Sequence, residues 1–282
     1  MVSSSINHKV SNPAPITFSW MGVAGLLFQA GDKVLAIDPF FTRPSIFHLL
    51  FKRLDPDIQR IQAAIPRCDA ILVSHAHHDH LMDVSTVIAA TGAQVYAPSN
   101  ACKLLSVMGV EEAKIHPIRQ GDQITLGPFQ ATVAEGTHIK LPLPISGKLP
   151  KRINYPPRFT DYKLDVVLSF FIEVEGFSIA IAPAQPVQSD LLFPYINQPG
   201  MIEKILNHYP PRAIVPIHWD NLFRPLEDPP QLSGWIPRMN ILCFSRWLKK
   251  KDPGINLLIP EYFHTYDIRK VLMNQEYECE VY

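Results

Sequence analysis

Alternating and continuous apolar runs divide the chain into strands and helices. Residues 16–37 alternate in a β-like manner around a turn at residues 31–32, and the last strand of this stretch delivers Asp38 at its end. Residues 70–73 form a short continuous apolar run, which is typical of a strand buried on both faces. Further strands are expected within residues 115–135. The first part of the chain is therefore predicted to be rich in strands.

Two helices are predicted between these strands. One covers residues 83–90 and stops at Gly92, and the other covers residues 99–108, with Ser99 as N-cap and Gly109 as terminator. The second half repeats the order hairpin, helix, strand. Its predicted elements are strands 166–174, 177–182, 213–217 and 256–259, with helices near 201–208 and 239–250. This order predicts two packed sheets with helices outside, an α/β architecture.

We expect a single domain over residues 15–268, preceded by a polar tail at residues 1–14 and followed by a short extension at residues 269–282. The run at residues 21–28 could resemble the core of a signal peptide. However, it has no basic leader close before it and continues into a hairpin turn, so we interpret it as a strand. No stretch approaches the ~20 apolar residues of a membrane-spanning helix, which predicts no integral membrane segment.

Composition limits the classes of partner. The 282 residues include 26 Lys and Arg against 26 Asp and Glu, so net charge gives no overall attraction to nucleic acid. Hydrophobic residues make up 47%, enough to build a core. The four cysteines are far apart and lack CxxC spacing, which disfavours a disulfide framework or a zinc knuckle. They are Cys68, Cys102, Cys243 and Cys279. Reduced thiols predict a cytoplasmic protein.

The strongest chemical signal is a histidine cluster directly after the apolar run at residues 70–73. Four of the eleven histidines, His75, His77, His78 and His80, lie within six residues. Imidazole and carboxylate are ligands that suit Zn, Fe or Mn. In an extended loop, residues two apart project to the same side, so His75 and His77 can bind one ion. Asp79 and His80 lie past the bend and can turn toward a second. The alternative is a histidine-rich surface turn with Asp79 as a helix cap, but the four-ligand spacing after a buried strand disfavours it.

The pattern His-x-His-x-Asp-His after an apolar strand resembles the metallo-β-lactamase fold superfamily, and the likeness extends over roughly residues 16–268. The opening hairpin, with Ser19-Trp-Met-Gly22 and Leu35-Ala-Ile-Asp38-Pro39, is similar to one branch of that superfamily. This branch contains the ascorbate-6-phosphate lactonase-like and N-acylphosphatidylethanolamine phospholipase D-like hydrolases. The resemblance implies a four-layer αβ/βα sandwich in which two mixed sheets are flanked by helices.

The resemblance also implies roles for single residues. His138, after a strand and a glycine, and His218, in Pro216-Ile-His218-Trp-Asp220, match the remaining metal histidines. Asp38 would support the metal loop from behind. Asp79 would be the catalytic residue, which orients a water or takes its proton, besides ligating a metal. His78 is interpreted as a loop residue. The implied ligands of one or two zinc ions, with Mn or Fe as alternatives, are His75, His77, Asp79, His80, His138 and His218.

One position departs from the family pattern. The family places an Asp that bridges both metals after the strand equivalent to residues 177–182, but here the sequence reads Pro183-Ala184-Gln185-Pro186. Gln185, Asp190 and Asp220 are the candidate substitutes, although none has the family spacing. Loss of an anionic ligand weakens a two-metal pair because the cations lie only ~3.5–4 Å apart. The sequence therefore leaves the second metal open.

The resemblance implies metal-assisted hydrolysis of a small ester, lactone or phosphoester. A Pro-rich basic loop after His138 could contact an anionic small-molecule substrate through Arg152 and Arg158, and Arg224 is a further candidate. The alternative is a solvated basic lid. A competing hypothesis is a metal-binding sensor or scaffold that has lost catalysis, favoured by Ala184. An amidohydrolase-type barrel also uses a strand-borne His-x-His, but it requires eight alternating strands and helices.

Overall fold

The computed structural model of the protein describes residues 14–138, 145–226, 230 and 240–275. Two seven-stranded sheets make up the centre of this part of the chain. The first has the order β14-β1-β2-β3-β4-β5-β6, and the second has the order β13-β12-β11-β10-β9-β8-β7. The strands of the first sheet are β1 (Ile16–Trp20), β2 (Leu26–Ala30), β3 (Lys33–Ile37), β4 (Ala70–Leu72), β5 (Gln94–Ala97), β6 (Ile115–Pro117) and β14 (Thr265–Asp267). Those of the second are β7 (Gln123–Leu126), β8 (Phe129–Glu135), β9 (Leu168–Val174), β10 (Phe177–Ile181), β11 (Leu191–Phe193), β12 (Ala213–Ile214) and β13 (Asn256–Leu257).

Both sheets are mixed. In the first, β1, β2 and β3 form an antiparallel meander, whereas β3 to β6 run parallel. In the second, β7 to β10 are antiparallel and β10 to β13 are parallel. Every residue of β4 is buried, as expected for a parallel strand that is covered on both faces. The predicted pair of mixed sheets is confirmed.

The two sheets pack face to face through large apolar side chains. Phe193 of β11 makes edge-to-face contacts with Phe18 of β1 and Phe28 of β2, at ring-centroid distances of 5.1 and 5.7 Å. Such T-shaped contacts place the positive ring edge against the negative face of the next ring. All three rings are almost completely buried and belong to one continuous core. This core fixes the distance between the ends of the strands in both sheets.

Helices flank the sheets. They are α1 (Ile46–Phe51), α2 (Ile58–Ala64), α3 (His78–Leu81), α4 (Val84–Thr91), α5 (Ser99–Val107), α6 (Pro199–His208), α7 (Ile241–Lys251) and α8 (Ile268–Leu272). The expected N-cap of α5 is wrong: Pro98 occupies that position and Ser99 is already the first helical residue. Proline fixes φ near the helical value, so the chain can enter the helix there without a side-chain cap.

The described residues bear on the expectations about a membrane segment, the two chain ends and the cysteines. Among the described residues, no helix combines the length and the apolar character needed to cross a bilayer. Residues 1–13 of the expected tail, residues 276–282 of the expected extension, and Cys279 lie outside the described residues. The division into domains stays a prediction.

Candidate metal centre

The histidine cluster lies where the carboxyl ends of several strands meet. The chain leaves β4 through Val73 and Ser74, presents His75 and His77 in an extended loop, and then enters α3, for which His77 is the N-cap. His138 follows β8, and its ring centroid lies 5.0 Å from that of His75 and 4.6 Å from that of His77. One nitrogen from each of these three rings lies within 4.8 Å of the others. The structure thus brings together a first group of three imidazoles.

A second group lies directly beside the first. Asp79 and His80 belong to α3, and His218 follows β12. The Oδ2 atom of Asp79 is 3.6 Å from Nε2 of His80 and 3.5 Å from Nε2 of His218. The rings of His75 and His80 are 3.9 Å apart, so the two groups adjoin. All six predicted ligands therefore converge, although they come from three separate parts of the chain.

Asp38 lies behind both groups and fixes the orientation of the loop. Its carboxylate accepts hydrogen bonds from the Ser74 backbone N–H at 2.7 Å, from the Ser74 hydroxyl at 2.5 Å and from Nδ1 of His80 at 2.7 Å. Asp38 has a φ of +43°, in the left-handed region that a non-glycine residue rarely adopts. Strained backbone of this kind concentrates at functional sites, where surrounding contacts hold it.

Hydrogen bonds behind the first group assign the protons on its rings. The Ser74 hydroxyl gives its proton to Asp38, so it accepts one from Nδ1 of His75 at 2.9 Å. Nε2 of His77 donates to the carbonyl oxygen of Ile145 at 3.1 Å. Consequently Nε2 of His75 and Nδ1 of His77, which face each other at 3.1 Å, both present lone pairs.

Two facing lone pairs repel each other unless a cation lies between them. Tetrahedral zinc with bonds of ~2.0–2.1 Å places neighbouring ligand atoms roughly 3.3 Å apart. The 3.1 Å separation of these nitrogens is close to that value. Outer hydrogen bonds from the second ring nitrogen are the usual support of metal-binding histidines. The residues present therefore fit a bound metal ion.

Charge distribution agrees with this fit. Burial and the neighbouring imidazoles hold the pKa of His75 well below its usual range, and burial is the main cause that lowers the pKa of His77 to about 4. Burial alone would raise the pKa of Asp79, but the charges of His80 and His78 outweigh it and lower the pKa well below the ordinary value. Metal ligands must be neutral imidazole and ionised carboxylate. The ionisation states of His75, His77 and Asp79 meet that requirement.

The second group contains an unpaired nitrogen. Nδ1 of His218 is buried and has no hydrogen-bond partner, while its Nε2 faces Asp79. His80 differs, because Asp38 and Asp79 overcome the effect of burial and raise its pKa. His218 also has a φ of +59°, and its backbone N–H donates to the carbonyl of Val23 at 2.7 Å. The loop after β12 is thus held against the turn between β1 and β2.

A buried ion pair secures that loop. The carboxylate of Asp220 contacts Arg43, accepts from the hydroxyl of Tyr262 at 2.7 Å and from the Val23 N–H at 2.9 Å. Trp20 stacks on Trp219 at a centroid distance of 4.9 Å. Asp220 is therefore a structural residue and does not replace the missing bridge.

The other proposed substitutes are also engaged elsewhere or exposed. Asp190 accepts hydrogen bonds from the backbone and hydroxyl of Ser178, and Gln185 is exposed. Ala184 is buried, and the preceding Pro183 forms a bridge with Gly136, two residues before His138. A buried methyl group therefore stands at position 184, where the resemblance implies a bridging carboxylate.

The basic loop borders the centre through its aromatic residues. Phe159 and Tyr162 contact the buried ring of His78, at centroid distances of 5.3 and 6.5 Å. The three candidate substrate arginines, Arg152, Arg158 and Arg224, are exposed. His78 is the first residue of α3 and its buried ring packs against this loop, so its interpretation as a simple loop residue is corrected.

Sequence reasoning missed two residues near the centre. Tyr195 follows β11, and its ring centroid is 5.2 Å from that of His218. Burial, reinforced by Asp38 and Asp79, raises the pKa of Tyr195 well above its usual range. Arg43 lies in the loop before α1. Tyr195 lies at the same sheet edge as His218 because β11 ends beside β12, a neighbourhood that becomes apparent only in the folded sheet.

Comparisons with known proteins agree with this geometry. Residues 34–219 match the model of the Beta-lactamase superfamily domain. A UPF0173 metal-dependent hydrolase from Sinorhizobium medicae is 32% identical over 119 residues, which are 42% of this chain and 46% of that protein. Another from Polynucleobacter asymbioticus is 26% identical over 231 residues, covering 79% and 71%. The match to the first relative thus spans about half of its length.

Solved structures share the fold at low sequence identity. The metallo-beta-lactamase fold protein YhfI from Bacillus subtilis superposes with a TM-score of 0.55 at 14% identity, covering 90% of this chain and 99% of that one. CmlA, a diiron beta-hydroxylase from Streptomyces venezuelae, has a TM-score of 0.57 at 12% identity, covering 91% and 55%. At such identities the likeness establishes the architecture.

Proposed function

The chain belongs to the beta-lactamase superfamily, and we propose that it is a metal-dependent hydrolase of a small ester, lactone or phosphoester. The single observation that carries the proposal is the 3.1 Å separation of Nε2 of His75 and Nδ1 of His77. The outer hydrogen bonds of both rings assign lone pairs to these two nitrogens, and a cation between them would bind both. The curated relatives bear the name metal-dependent hydrolase, which supports the same reaction class.

We assign the first ion to the group formed by His75, His77 and His138. The second ion belongs to the group formed by Asp79, His80 and His218. Zinc suits this set of imidazole and carboxylate ligands, and the diiron neighbour shows that the same fold also accommodates iron. A divalent ion held here would polarise the bond to be cleaved and make a water acidic enough to attack near neutral pH.

Asp79 is the proposed catalytic residue. Its carboxylate is ionised, because the charges of His80 and His78 favour that form despite burial. It belongs to the second ligand group, on the helix that begins at His78, and the ring of His80 in that group lies 3.9 Å from the ring of His75 in the first. From this position Asp79 can orient the attacking water and take its proton. Asp38 would keep the loop and His80 in place through its three hydrogen bonds.

The basic loop suggests an anionic substrate. Residues 145–163 carry five Lys or Arg side chains against one Asp, in a chain whose total charge is zero. Phe159 and Tyr162 of this loop border the buried His78, so the loop forms one wall beside the centre. Exposed Arg152 and Arg158 could bind a phosphate or carboxylate group bidentately. Arg224 remains a further candidate.

A second candidate function is a metal-binding protein without catalysis. Ala184 favours it, because a buried methyl group occupies the position of the bridging carboxylate. Without that bridging charge, less negative charge is available to offset the repulsion between two adjacent cations, so a second ion is disfavoured. A single-metal sensor or scaffold would need only the first group.

Metal content and turnover of two variants test the proposal. The protein, prepared with Zn, Mn or Fe, is analysed by mass spectrometry of its metals and assayed with a p-nitrophenyl ester, a lactone and a phosphodiester. We expect His77→Ala to lose the first ion and all turnover. His208→Ala is the matched control, since His208 is exposed at the end of α6, and it should retain both. Tight metal binding without turnover on any substrate would favour the metal-binding sensor or scaffold. Absence of bound metal from protein prepared with these metals would refute both the hydrolase and the sensor hypothesis.

A further inference from the structure

Helix α1 presents an apolar face to solvent. Phe47, Leu50 and Phe51 are 66%, 57% and 69% exposed, whereas Leu49 on the opposite side is buried in the core. The positions i, i+3 and i+4 place the three exposed side chains on one surface of the helix. The rings of Phe47 and Phe51 also contact each other, with centroids 5.0 Å apart. We call these three residues the α1 face.

Basic residues border this face. Lys52 follows directly and is exposed. Arg53 donates to the carbonyl oxygens of Asn154 and Pro156, which fastens the basic loop to the end of α1. Lys151 and Arg152, both exposed, lie within three residues of Asn154. Lys52 therefore borders the α1 face directly, and Lys151 and Arg152 belong to the loop that Arg53 fastens to the same end of the helix.

Two of the three nearby acidic residues are engaged by local partners. Asp57 caps α2 by accepting from the Arg60 N–H, and its carboxylate also lies 3.8 Å from the Arg60 side chain. Asp161 accepts from the Arg158 backbone N–H within its own turn. Asp55 is exposed beside them. The described residues around the α1 face therefore retain a positive excess, although the whole chain is neutral.

We propose that the α1 face, with Lys52 at its edge and Lys151 and Arg152 on the fastened loop, docks the protein on an anionic lipid–water interface. Aromatic side chains prefer the headgroup level of a bilayer, and each nearby Lys or Arg adds attraction to anionic lipid. The arrangement of exposed apolar side chains beside cations matches an interfacial segment. This inference is independent of the proposed hydrolase activity.

A second copy of the chain fits the face poorly. Symmetric pairing would bring the basic edges of two copies against each other. The three exposed side chains also offer only roughly 350 Å² of apolar surface, since a Phe buries about 150–250 Å² when fully covered. A stable interface needs about 800 Å² per partner. The size and charge of the face thus favour a lipid surface.

Docking at the α1 face would bring the lipid surface close to the metal centre. The same loop that Arg53 fastens to α1 places Phe159 and Tyr162 against His78 beside the metal centre. A lipid surface at the α1 face would therefore lie next to one wall of that centre. Amphiphilic molecules in the surface would be concentrated near it.

Vesicle flotation with the full-length protein tests the proposal. The probes are vesicles of phosphatidylcholine alone and of phosphatidylcholine with 30% phosphatidylglycerol. We expect the wild type to float with the anionic vesicles at micromolar protein, and at least tenfold less with the neutral ones. The double variant Phe47→Ser/Phe51→Ser should bind the anionic vesicles at least tenfold more weakly, and Lys151→Glu/Arg152→Glu should lose most of the preference for anionic lipid.

Two further variants serve as controls. Tyr209→Ser and Met273→Ser remove exposed apolar side chains from other helix ends, so they should float like the wild type. Thermal unfolding of every variant verifies that the fold is retained. Absence of flotation, or equal flotation of the Phe variant, would overturn the proposal. A dimer in sedimentation equilibrium that disappears in the Phe47→Ser/Phe51→Ser variant would overturn it in favour of a second copy.

Discussion

The guanidinium of Arg43 lies 2.9 Å from the carboxylate of Asp220, and both side chains are almost completely buried. Asp220 connects this pair to the Val23 backbone and to the Tyr262 hydroxyl. Since His218 is only two residues away and its N–H donates to the Val23 carbonyl, the same contacts hold the last histidine of the second ligand group. The pair thus links loops from both sheets below the metal centre.

Loss of one charge in this pair should be costly. Asp220→Asn leaves the Arg43 cation buried without a counter-charge, so we expect the free energy of unfolding to fall by about 3–5 kcal/mol in urea denaturation. Glu203→Gln is the control, because its partner Lys251 and Glu203 itself are exposed, and it should change stability by less than about 1 kcal/mol. Equal effects of the two substitutions would contradict the structural role of Asp220.

Alanine substitutions at Gly22 and Gly31 distinguish two effects on stability: steric overlap of the new Cβ and the cost of a left-handed backbone. Both have positive φ, but a Cβ at Gly31 would meet no atom within 4 Å, whereas a Cβ at Gly22 would lie 2.1 Å from Nη2 of Arg43. Gly31→Ala should therefore cost only the left-handed penalty, about 1–2 kcal/mol. Gly22→Ala must also displace Arg43 from Asp220, so we expect it to cost at least ~2 kcal/mol more. Calorimetric unfolding of both variants measures the difference, and similar losses would show that Arg43 moves freely.

Restoration of a carboxylate at position 184 should strengthen the second ion site. We expect Ala184→Asp to raise the metal content toward two ions per chain, because an anionic bridge offsets the repulsion between adjacent cations. Ala184→Asn has nearly the same volume without the charge and should leave the content unchanged. Metal titration followed by mass spectrometry compares the two. An unchanged stoichiometry in the Asp variant would mean that another residue already supplies the charge.

Metal removal should lower thermal stability. A ligand at 100 times its dissociation constant stabilises the folded state by ~2.7 kcal/mol. For a chain of 282 residues, that corresponds to a fall in Tm of roughly 5 °C after chelation. The His77→Ala variant lacks the first site, so its Tm should respond to chelator far less. A wild-type Tm that is indifferent to chelator would contradict the assignment of the ligand groups.

Local patterns predicted much of the fold. The continuous apolar run of β4 and the hairpin of β9 and β10 follow from periodicity and turn residues, and the structure contains both. Helices α1 and α2 were not expected, although Ser45 and Asp57 are capping residues whose side chains accept from the helix backbone. Their apolar positions are too few to form a long amphipathic stripe, and prolines surround them. Strand β14 was missed because three residues give almost no periodic signal.

The convergence of the six predicted ligands could be expected because local spacing carried most of it. His75 to His80 form one segment, and each remaining histidine follows a strand that ends at the same edge. The contact between Arg43 and Asp220 could not be predicted, since nothing in either local sequence specifies a partner 177 positions away. Tyr195 is intermediate in predictability between the metal-centre histidines and the Arg43–Asp220 contact. Its strand order places it beside His218, but that order is evident only in the folded sheet.

The pairing of β1 with β14 has a consequence for biosynthesis. Thr17 lies in the first strand of the fold, yet its register partner in the sheet is Asp267. Until the segment that contains β14 has been synthesised, the edge of β1 that later pairs with it exposes unpaired amide and carbonyl groups. Such an edge is a template for pairing with another chain. Nascent copies on one polysome are consequently most prone to cross-association before residue 267 emerges, and chaperone capture at this stage would protect them.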